Sequence, residues 1–160
     1  RNTTMKDTNT INNCIHPKIR LRFDTQEKFF GPGVCELLEL IDETGSVQRA
    51  CARMELSYSK GSKMLKKLDQ VIGISIVERW TGGAGGGGAR LTEAGQKLVK
   101  TYRKMETEVQ KAAEDAFYKY YGEDFRNAIT INSSITEESV ISLEKAIIDI
   151  QTGGTTDEAD

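Results

Sequence analysis

The sequence predicts a mainly α-helical fold with a small β-wing, a winged helix-turn-helix followed by a long C-terminal dimerisation helix. Three observations predict it. Two capped helical segments follow one another closely between Gly45 and Ile72. A short β-rich run then leads through the stretch TGGAGGGG and back into apolar residues that end at Leu91. A helical pattern finally continues without a break from Thr92 to Tyr121.

The two capped segments have the pattern of a helix-turn-helix. Ser46 is a favourable N-cap, and Val47, Ala50 and Cys51 then fall on one helical face. Ser57 caps a longer helix whose apolar side holds Gly61, Met64, Leu65, Leu68 and Val71 or Ile72. Its other side holds Ser59, Lys60, Lys63, Lys66, Lys67 and Gln70. Because phosphates supply the counter-charge for lysines, this pattern is typical of a helix that enters a DNA groove.

The glycine-rich stretch has two possible meanings. In a dinucleotide-binding loop, the glycines open directly into a helix inside a βαβ unit. Here Ala89, Arg90 and Leu91 follow the glycines, and the helix signal starts only at Thr92 and Glu93. We therefore expect a strand within 74–80 to pair with 89–91 across a flexible wing tip. Arg90 would contact phosphates or a groove from there.

The chain before the first capped segment contains a predicted strand and a predicted helix. Residues 1–13 are polar and are expected to form a flexible leader, which makes 14–91 the predicted winged domain. From Cys14 to Phe23 apolar and polar residues alternate, which predicts a strand that pairs with the wing. A helix opens at Gly31-Pro32-Gly33 and stops at Gly45. Its buried stripe is Val34, Leu37, Leu38 and Ile41, and its acidic face is expected to lie away from DNA.

The long helix, 92–121, carries an apolar stripe at steps of 4, 3, 4, 3 and 4. The stripe consists of Leu98, Tyr102, Met105, Val109, Ala112 and Ala116. These residues either pack on their own domain or form a coiled-coil seam between two chains. A helix of about 30 residues is ~45 Å long, more than a small domain covers, so we expect a homodimer. Such a dimer would present two recognition helices, one from each chain, and would therefore bind a palindromic operator.

The tail, 122–160, is predicted to contain a short amphipathic helix. Gly122 is expected to stop the long helix, and Thr136 with the two glutamates after it to begin the next. Val140, Leu143, Ile147 and Ile150 would form its apolar stripe. The sequence does not assign this helix a role.

Charge and rare residues narrow the classes of function. The net charge of the chain is −2, but residues 49–111 hold 13 Lys or Arg against 6 Asp or Glu. The net charge of that stretch is therefore +7, which would attract a polyanion. Cys14, Cys35 and Cys51 are too far apart for a metal knuckle and are expected to be reduced thiols. His16 is the single histidine. We therefore expect no metal, no cofactor and no enzymatic activity.

The expected cellular location depends on two kinds of segment that the sequence lacks. No apolar run reaches the ~18 residues of a membrane span, and the N-terminal residues lack the apolar centre of a signal peptide. We expect a cytoplasmic protein with no membrane partner.

Two stretches, GSVQRACARMELSYSKGSKMLKKLDQ and IVERWTGGAGGGGARLTEAGQKLVKTY, carry a family resemblance. Together they resemble the N-terminal DNA-binding domain of ModE-type, molybdate-responsive regulators, and more loosely the LysR-type helix-turn-helix. The most specific part runs from Val77 to Gln96, and the whole covers roughly residues 15–121. The resemblance implies a homodimer on operator DNA. By position, Ser57, Tyr58, Ser59, Ser62 and Lys63 match the recognition helix, and 82–88 matches the wing.

These observations give a set of candidate DNA-contacting residues on three elements. They are Gln48, Arg49, Ser57, Tyr58, Ser59, Lys60, Ser62, Lys63, Lys66, Lys67, Gly85, Gly86 and Arg90. Full ModE-type regulators also carry C-terminal oxyanion-binding modules, which residues after 121 are too few to form. We therefore do not extend molybdate sensing to this chain, and its effector stays open. The alternative function is a winged-helix protein-interaction module that has lost DNA binding, and the exposed lysines argue against it.

Overall fold

The computed structural model describes residues 15–128 and 137–152. The elements are β1 Phe23–Asp24, β2 Lys28–Phe30, α1 Pro32–Thr44, α2 Val47–Arg53, α3 Tyr58–Ile72, β3 Val77–Trp80, β4 Gly88–Leu91, α4 Glu93–Ala128 and α5 Glu137–Thr152. The strands form two antiparallel pairs, β1 with β2 and β3 with β4. The structure divides into two compact units. One holds residues 19–108, and the other holds the described residues before 19 and after 108.

The helix ends are fixed by the residues that the sequence predicts. The Ser46 hydroxyl accepts a hydrogen bond from the Arg49 N–H (3.2 Å), and the Ser57 hydroxyl accepts one from the Lys60 N–H (3.1 Å). Each satisfies a backbone donor that has no partner within its helix. Gly45 ends α1 in the left-handed region, at φ 70°. The predicted start and stop of α1 and the two serine caps are therefore confirmed.

The core of the unit 19–108 lies between α1, α2, α3 and the strands. Its buried side chains are Phe30, Cys35, Leu37, Leu38, Ile41, Val47, Ala50, Cys51, Leu65, Leu68, Ile76, Ala89, Leu91 and Tyr102. On α3 the buried positions are Gly61, Leu65 and Leu68, at steps of four and three. One side of α3 is therefore buried in the core, and the opposite side faces solvent.

The turn between α2 and α3 is tight. Glu55 is at φ 55°, the one non-glycine residue with a positive φ among those described, and the Leu56 N–H donates to the Cys51 carbonyl (2.9 Å). Gly61 allows α3 to approach α2 closely, because a Cβ on it would overlap the Cys51 sulfur. The two helices of the motif are therefore in direct contact at this glycine.

The wing is the predicted antiparallel pair. Val77 lies opposite Leu91, and Trp80 lies opposite Gly88. The Thr92 hydroxyl donates to the Ser75 carbonyl (2.8 Å) and accepts from the Gly95 N–H (3.1 Å). Thr92 is thus the predicted cap of α4, and it also fastens the first turn of α4 to the residues that lead into β3.

The strand predicted for 14–23 is largely wrong. Residue 14 lies outside the described residues, 15–22 form no regular element, and β1 pairs with β2 instead of the wing. Side-chain exposure does alternate along 15–24 as the pattern indicates. However, the Pro17 carbonyl accepts a hydrogen bond from Gln110 Nε2 (2.7 Å). The Leu21 carbonyl accepts one from Tyr102 Oη (2.8 Å). At these two positions the carbonyl partners are therefore side chains of α4 and not the backbone of a neighbouring strand.

The first part of the apolar stripe of α4 packs within its own chain, and this corrects the seam predicted from sequence. Tyr102 is fully buried and packs edge-on against Phe23 and Phe30 in its own chain. Leu98 packs partly against the same core. A coiled-coil seam and an amphipathic core helix have the same spacing, so sequence alone could not separate them. Tyr102 is therefore a core residue of the unit that holds residues 19–108.

Beyond the core, Met105 is 43% exposed, Val109 is half-buried, and Ala112 and Ala116 are exposed. Gly122 leaves the helical region, with φ 79° and ψ 168°. This interrupts α4 at the stop that the sequence predicts, and helical residues resume after it.

Tyr102→Phe tests the core role of this residue. The change removes only the hydroxyl that donates to the Leu21 carbonyl, so we expect the free energy of unfolding to fall by about 0.5–1.5 kcal/mol. Tyr120→Phe is the matched control, because Tyr120 is exposed, and it should change stability by less than about 0.5 kcal/mol. Urea unfolding followed by circular dichroism measures both. Equal effects would contradict the assignment.

Helix α5 lies where the sequence predicts a tail helix, and Thr136 lies outside the described residues. Leu143 and Ile150 are half-buried, whereas Val140 and Ile147 are exposed. Among the helices of residues 15–128 and 137–152, none has the length and apolar character needed to cross a membrane.

Candidate nucleic-acid interface

Helix α3 presents a polar face opposite the core. Ser59, Lys63 and Lys66 follow one another at steps of four and three, and all three are exposed. At about 100° per residue they lie on the side opposite Gly61, Leu65 and Leu68. Because that apolar side is buried, the core fixes which side chains of α3 face outward.

The lysines on this helix differ in their partners. Lys60, Lys63 and Lys66 are exposed and form no ion pair within the part of the chain that the structure describes. Lys67 Nζ instead lies 2.7 Å from the Glu27 Oε2 atom. The hydrogen bond and positive charge of Lys67 lower the pKa of the Glu27 carboxyl below its usual value. Three of the four lysines are thus free to meet an anion.

The N-terminal end of α3 is in contact with the wing. Tyr58 is 52% exposed, and its hydroxyl accepts a long hydrogen bond from Arg79 Nη1 (3.4 Å). The Ser57 hydroxyl accepts the capping bond, and Ser62 is half-buried. Of the predicted residues in this region, Tyr58 and Ser59 are therefore the most open to an approaching ligand.

The wing carries Arg90 in a charged and aromatic cluster. Arg90 Nε donates to Glu78 Oε2 (2.8 Å), and the guanidinium lies 5.7 Å from the centre of the Trp80 ring. Trp80 is 46% exposed and covers Gly88, where a Cβ would overlap the indole. The predicted tip residues Gly85 and Gly86 are exposed. To contact a phosphate, the Arg90 guanidinium would therefore have to break its ion pair with Glu78 or share it.

Helix α2 contributes two further predicted residues. Gln48 and Arg49 lie in its first turn, and both are exposed. Arg53, at the other end, pairs with Glu43 of α1 (2.7 Å). Arg49, near the N-terminus of α2, is therefore the cation of this helix that is more open to a ligand.

Cys35 and Cys51 are buried thiols in the core of this domain. Loss of hydration on burial raises the pKa of the Cys51 thiol, and it raises that of Cys35 to about 12. Both thiols are therefore protonated at neutral pH, as expected for packing residues. No group of three potential metal ligands occurs among the residues that the structure describes.

A separate cavity of about 470 Å³ opens between α1, β4 and α4. Its lining residues are Glu39, Asp42, Glu43, Leu91, Gln96, Val99, Lys100 and Arg103. Arg103 is already engaged by Glu39 and Glu106. The carboxylates make this cavity a poor site for phosphate, in contrast to the open face of α3.

Sequence reasoning missed Glu27, Glu78 and Trp80. Glu27 is forty residues from Lys67, and no periodic pattern links a hairpin loop to a distant helix. Glu78 could have been found, since a register that pairs Ala89–Leu91 with β3 places it across from Arg90.

The helix-turn-helix, its open lysine face and the two-stranded wing define a winged helix-turn-helix domain. Residues 35–96 match the family described as bacterial regulatory helix-turn-helix protein, lysR family. The chain is 34% identical over 99 residues to the transcriptional regulator ModE of Yersinia pestis, covering 61% of this chain and 38% of that protein. It is 32% identical over 131 residues to the DNA-binding transcriptional dual regulator ModE of Escherichia coli (strain K12). That alignment covers 81% of this chain and 47% of that protein.

The chain therefore contains a helix-turn-helix domain that is similar to that of ModE-type regulators, and it spans less than half the length of these two relatives. Among solved structures, full-length CbnR complexed with its target DNA aligns with a TM-score of 0.45 at 18% identity. That alignment covers 56% of this chain and 30% of CbnR, a similarity too low to bear on function.

Proposed function

We propose that the chain is the DNA-binding part of a bacterial transcriptional regulator, which binds duplex operator DNA through α3 and the wing. The observation that carries the proposal is the exposed face of α3, where Lys60, Lys63 and Lys66 have no carboxylate partner among the described residues. Lysines in this arrangement neutralise phosphates, while side chains near the N-terminal half of such a helix meet base edges. The activity is binding without catalysis, in the cytoplasm.

The proposal includes a homodimer formed through α4. Its support is the apolar spacing that continues from Met105 through Val109, Ala112 and Ala116, with Met105 43% exposed. A two-fold dimer would present two copies of α3 to half-sites separated by one duplex turn or a multiple of it. Relatives named as molybdenum transport protein ModE suggest genes of molybdenum transport as targets.

The protein-interaction alternative is not favoured. Relatives named as transcriptional regulators match the domain. Three exposed lysines without counter-charges among the described residues also favour a polyanion as the partner.

Selection of genomic fragments by the purified protein, followed by a salt titration on the enriched duplex, tests this function. We expect a palindromic sequence, and an affinity that falls steeply with salt, with a slope of about −0.9 for each phosphate contacted. Sedimentation should give two chains per duplex. Repeating the titration with molybdate tests whether that oxyanion acts on this chain. Failure to enrich any sequence, with binding insensitive to salt, would overturn the proposal.

A further inference from the structure

We propose that Glu27 is a positioning residue that holds Lys67 away from the DNA backbone, so that Lys60, Lys63 and Lys66 are the phosphate contacts of α3. This inference rests on the proposed function and deepens it. It also removes Lys67 from the phosphate contacts expected from sequence, because the structure gives that cation a carboxylate of its own.

The position of Glu27 is fixed by the β1–β2 hairpin. Glu27 lies in the loop between the two strands, and its carbonyl accepts a hydrogen bond from the Thr25 N–H (3.0 Å). Below the loop, Phe23 stacks on Phe30 with ring centres 5.7 Å apart, and Phe30 is buried. The hairpin is thereby anchored in the core, and its loop holds the carboxylate beside the third turn of α3.

The charges explain the effect on DNA binding. Glu27 and Lys67 together present no net charge, although a lysine at that position would otherwise add to the cationic face formed with Lys63 one turn earlier. The Glu27 side chain is 75% exposed, and that of Lys67 is 40% exposed. If Lys67 turned to a phosphate, an unpaired carboxylate would remain next to a polyanion, which is unfavourable. Lys67 therefore stays with Glu27.

Glu27→Gln tests the inference with a short fluorescein-labelled duplex of mixed sequence. We expect Lys67 to gain a phosphate, so the slope of log affinity against log salt should become steeper by about 0.9. Affinity at low salt should rise several-fold. The same substitution in a Lys67→Gln background should leave the slope unchanged, because the released cation is missing.

Glu36→Gln is the matched control, since it removes an exposed acid from α1. It should leave the slope as in the unmodified protein, and thermal unfolding should be the same for all variants because the ion pair is exposed. A slope for Glu27→Gln equal to that of the unmodified protein overturns the inference. So does an equal steepening in the Lys67→Gln background or with Glu36→Gln, which would indicate a general charge effect. Absence of salt-dependent binding by the unmodified protein would instead overturn the proposed function.

Discussion

Lys63→Ala is expected to weaken binding to the selected operator by about 1–3 kcal/mol, or about 5- to 150-fold in Kd, if the ammonium reaches a guanine edge. Lys63 is exposed on the face of α3 opposite the core, and it has no ion-pair partner within the described residues. Its removal therefore costs the fold little, and the loss falls on binding. Fluorescence anisotropy with labelled operator duplex measures the change.

Lys104→Ala is the control for Lys63→Ala. Lys104 is also exposed and carries the same charge, but it lies on α4, away from the helix-turn-helix in sequence. We expect a much smaller loss for this variant. A phosphate contact and a base contact at Lys63 can also be separated, because only the base contact would relax sequence preference. Unchanged affinity for Lys63→Ala, or equal losses for both variants, would refute the proposed role of Lys63.

Gly61→Ala is expected to destabilise the domain by about 1–3 kcal/mol, which is typical of overpacking. The added methyl group would overlap the Cys51 sulfur and reach ordinary contact with Leu37, at 3.8 Å. Alanine normally stabilises a helix interior relative to glycine by up to about 1 kcal/mol, so a loss of stability would reveal the clash. Thermal and urea unfolding measure it.

Gly33→Ala provides the comparison, since a Cβ on Gly33 meets nothing within 4 Å. This variant should be neutral or slightly more stable. Combining Gly61→Ala with Cys51→Ala removes the overlapping sulfur, so the double variant should recover part of the stability that Gly61→Ala loses. If Gly61→Ala stabilises the protein as much as Gly33→Ala does, α2 and α3 are not packed as closely as described.

Local signals predicted the framework of the domain well. Ser46 and Ser57 are caps because a hydroxyl beside a helix start can satisfy backbone donors of its own first turn. The buried side of α3 followed from its 3.6-residue period. The pairing of the two wing strands followed from two short β-rich runs around a glycine-rich turn. Each of these features depends on residues close together in the chain.

The features that sequence could not give depend on distant partners. The alternation in 15–23 indicated an extended segment, but it carried no information on whether strands or side chains would meet its carbonyls. The spacing on α4 could not show that Tyr102 packs against Phe30 in its own chain. The pairing of Lys67 with Glu27 likewise depends on how a hairpin packs against α3. A pattern along one element does not identify the partner of that element.

The position of Trp80 gives the molecule a built-in optical probe. Trp80 is the only tryptophan of the chain, and it lies half-exposed on the wing beneath the Arg90 guanidinium. The aromatic residues buried in the core are instead phenylalanine and tyrosine. Emission excited beyond the tyrosine absorption band therefore arises from the wing alone. The wavelength of that emission reports the hydration of one indole ring, and events at the wing can be followed without any attached dye.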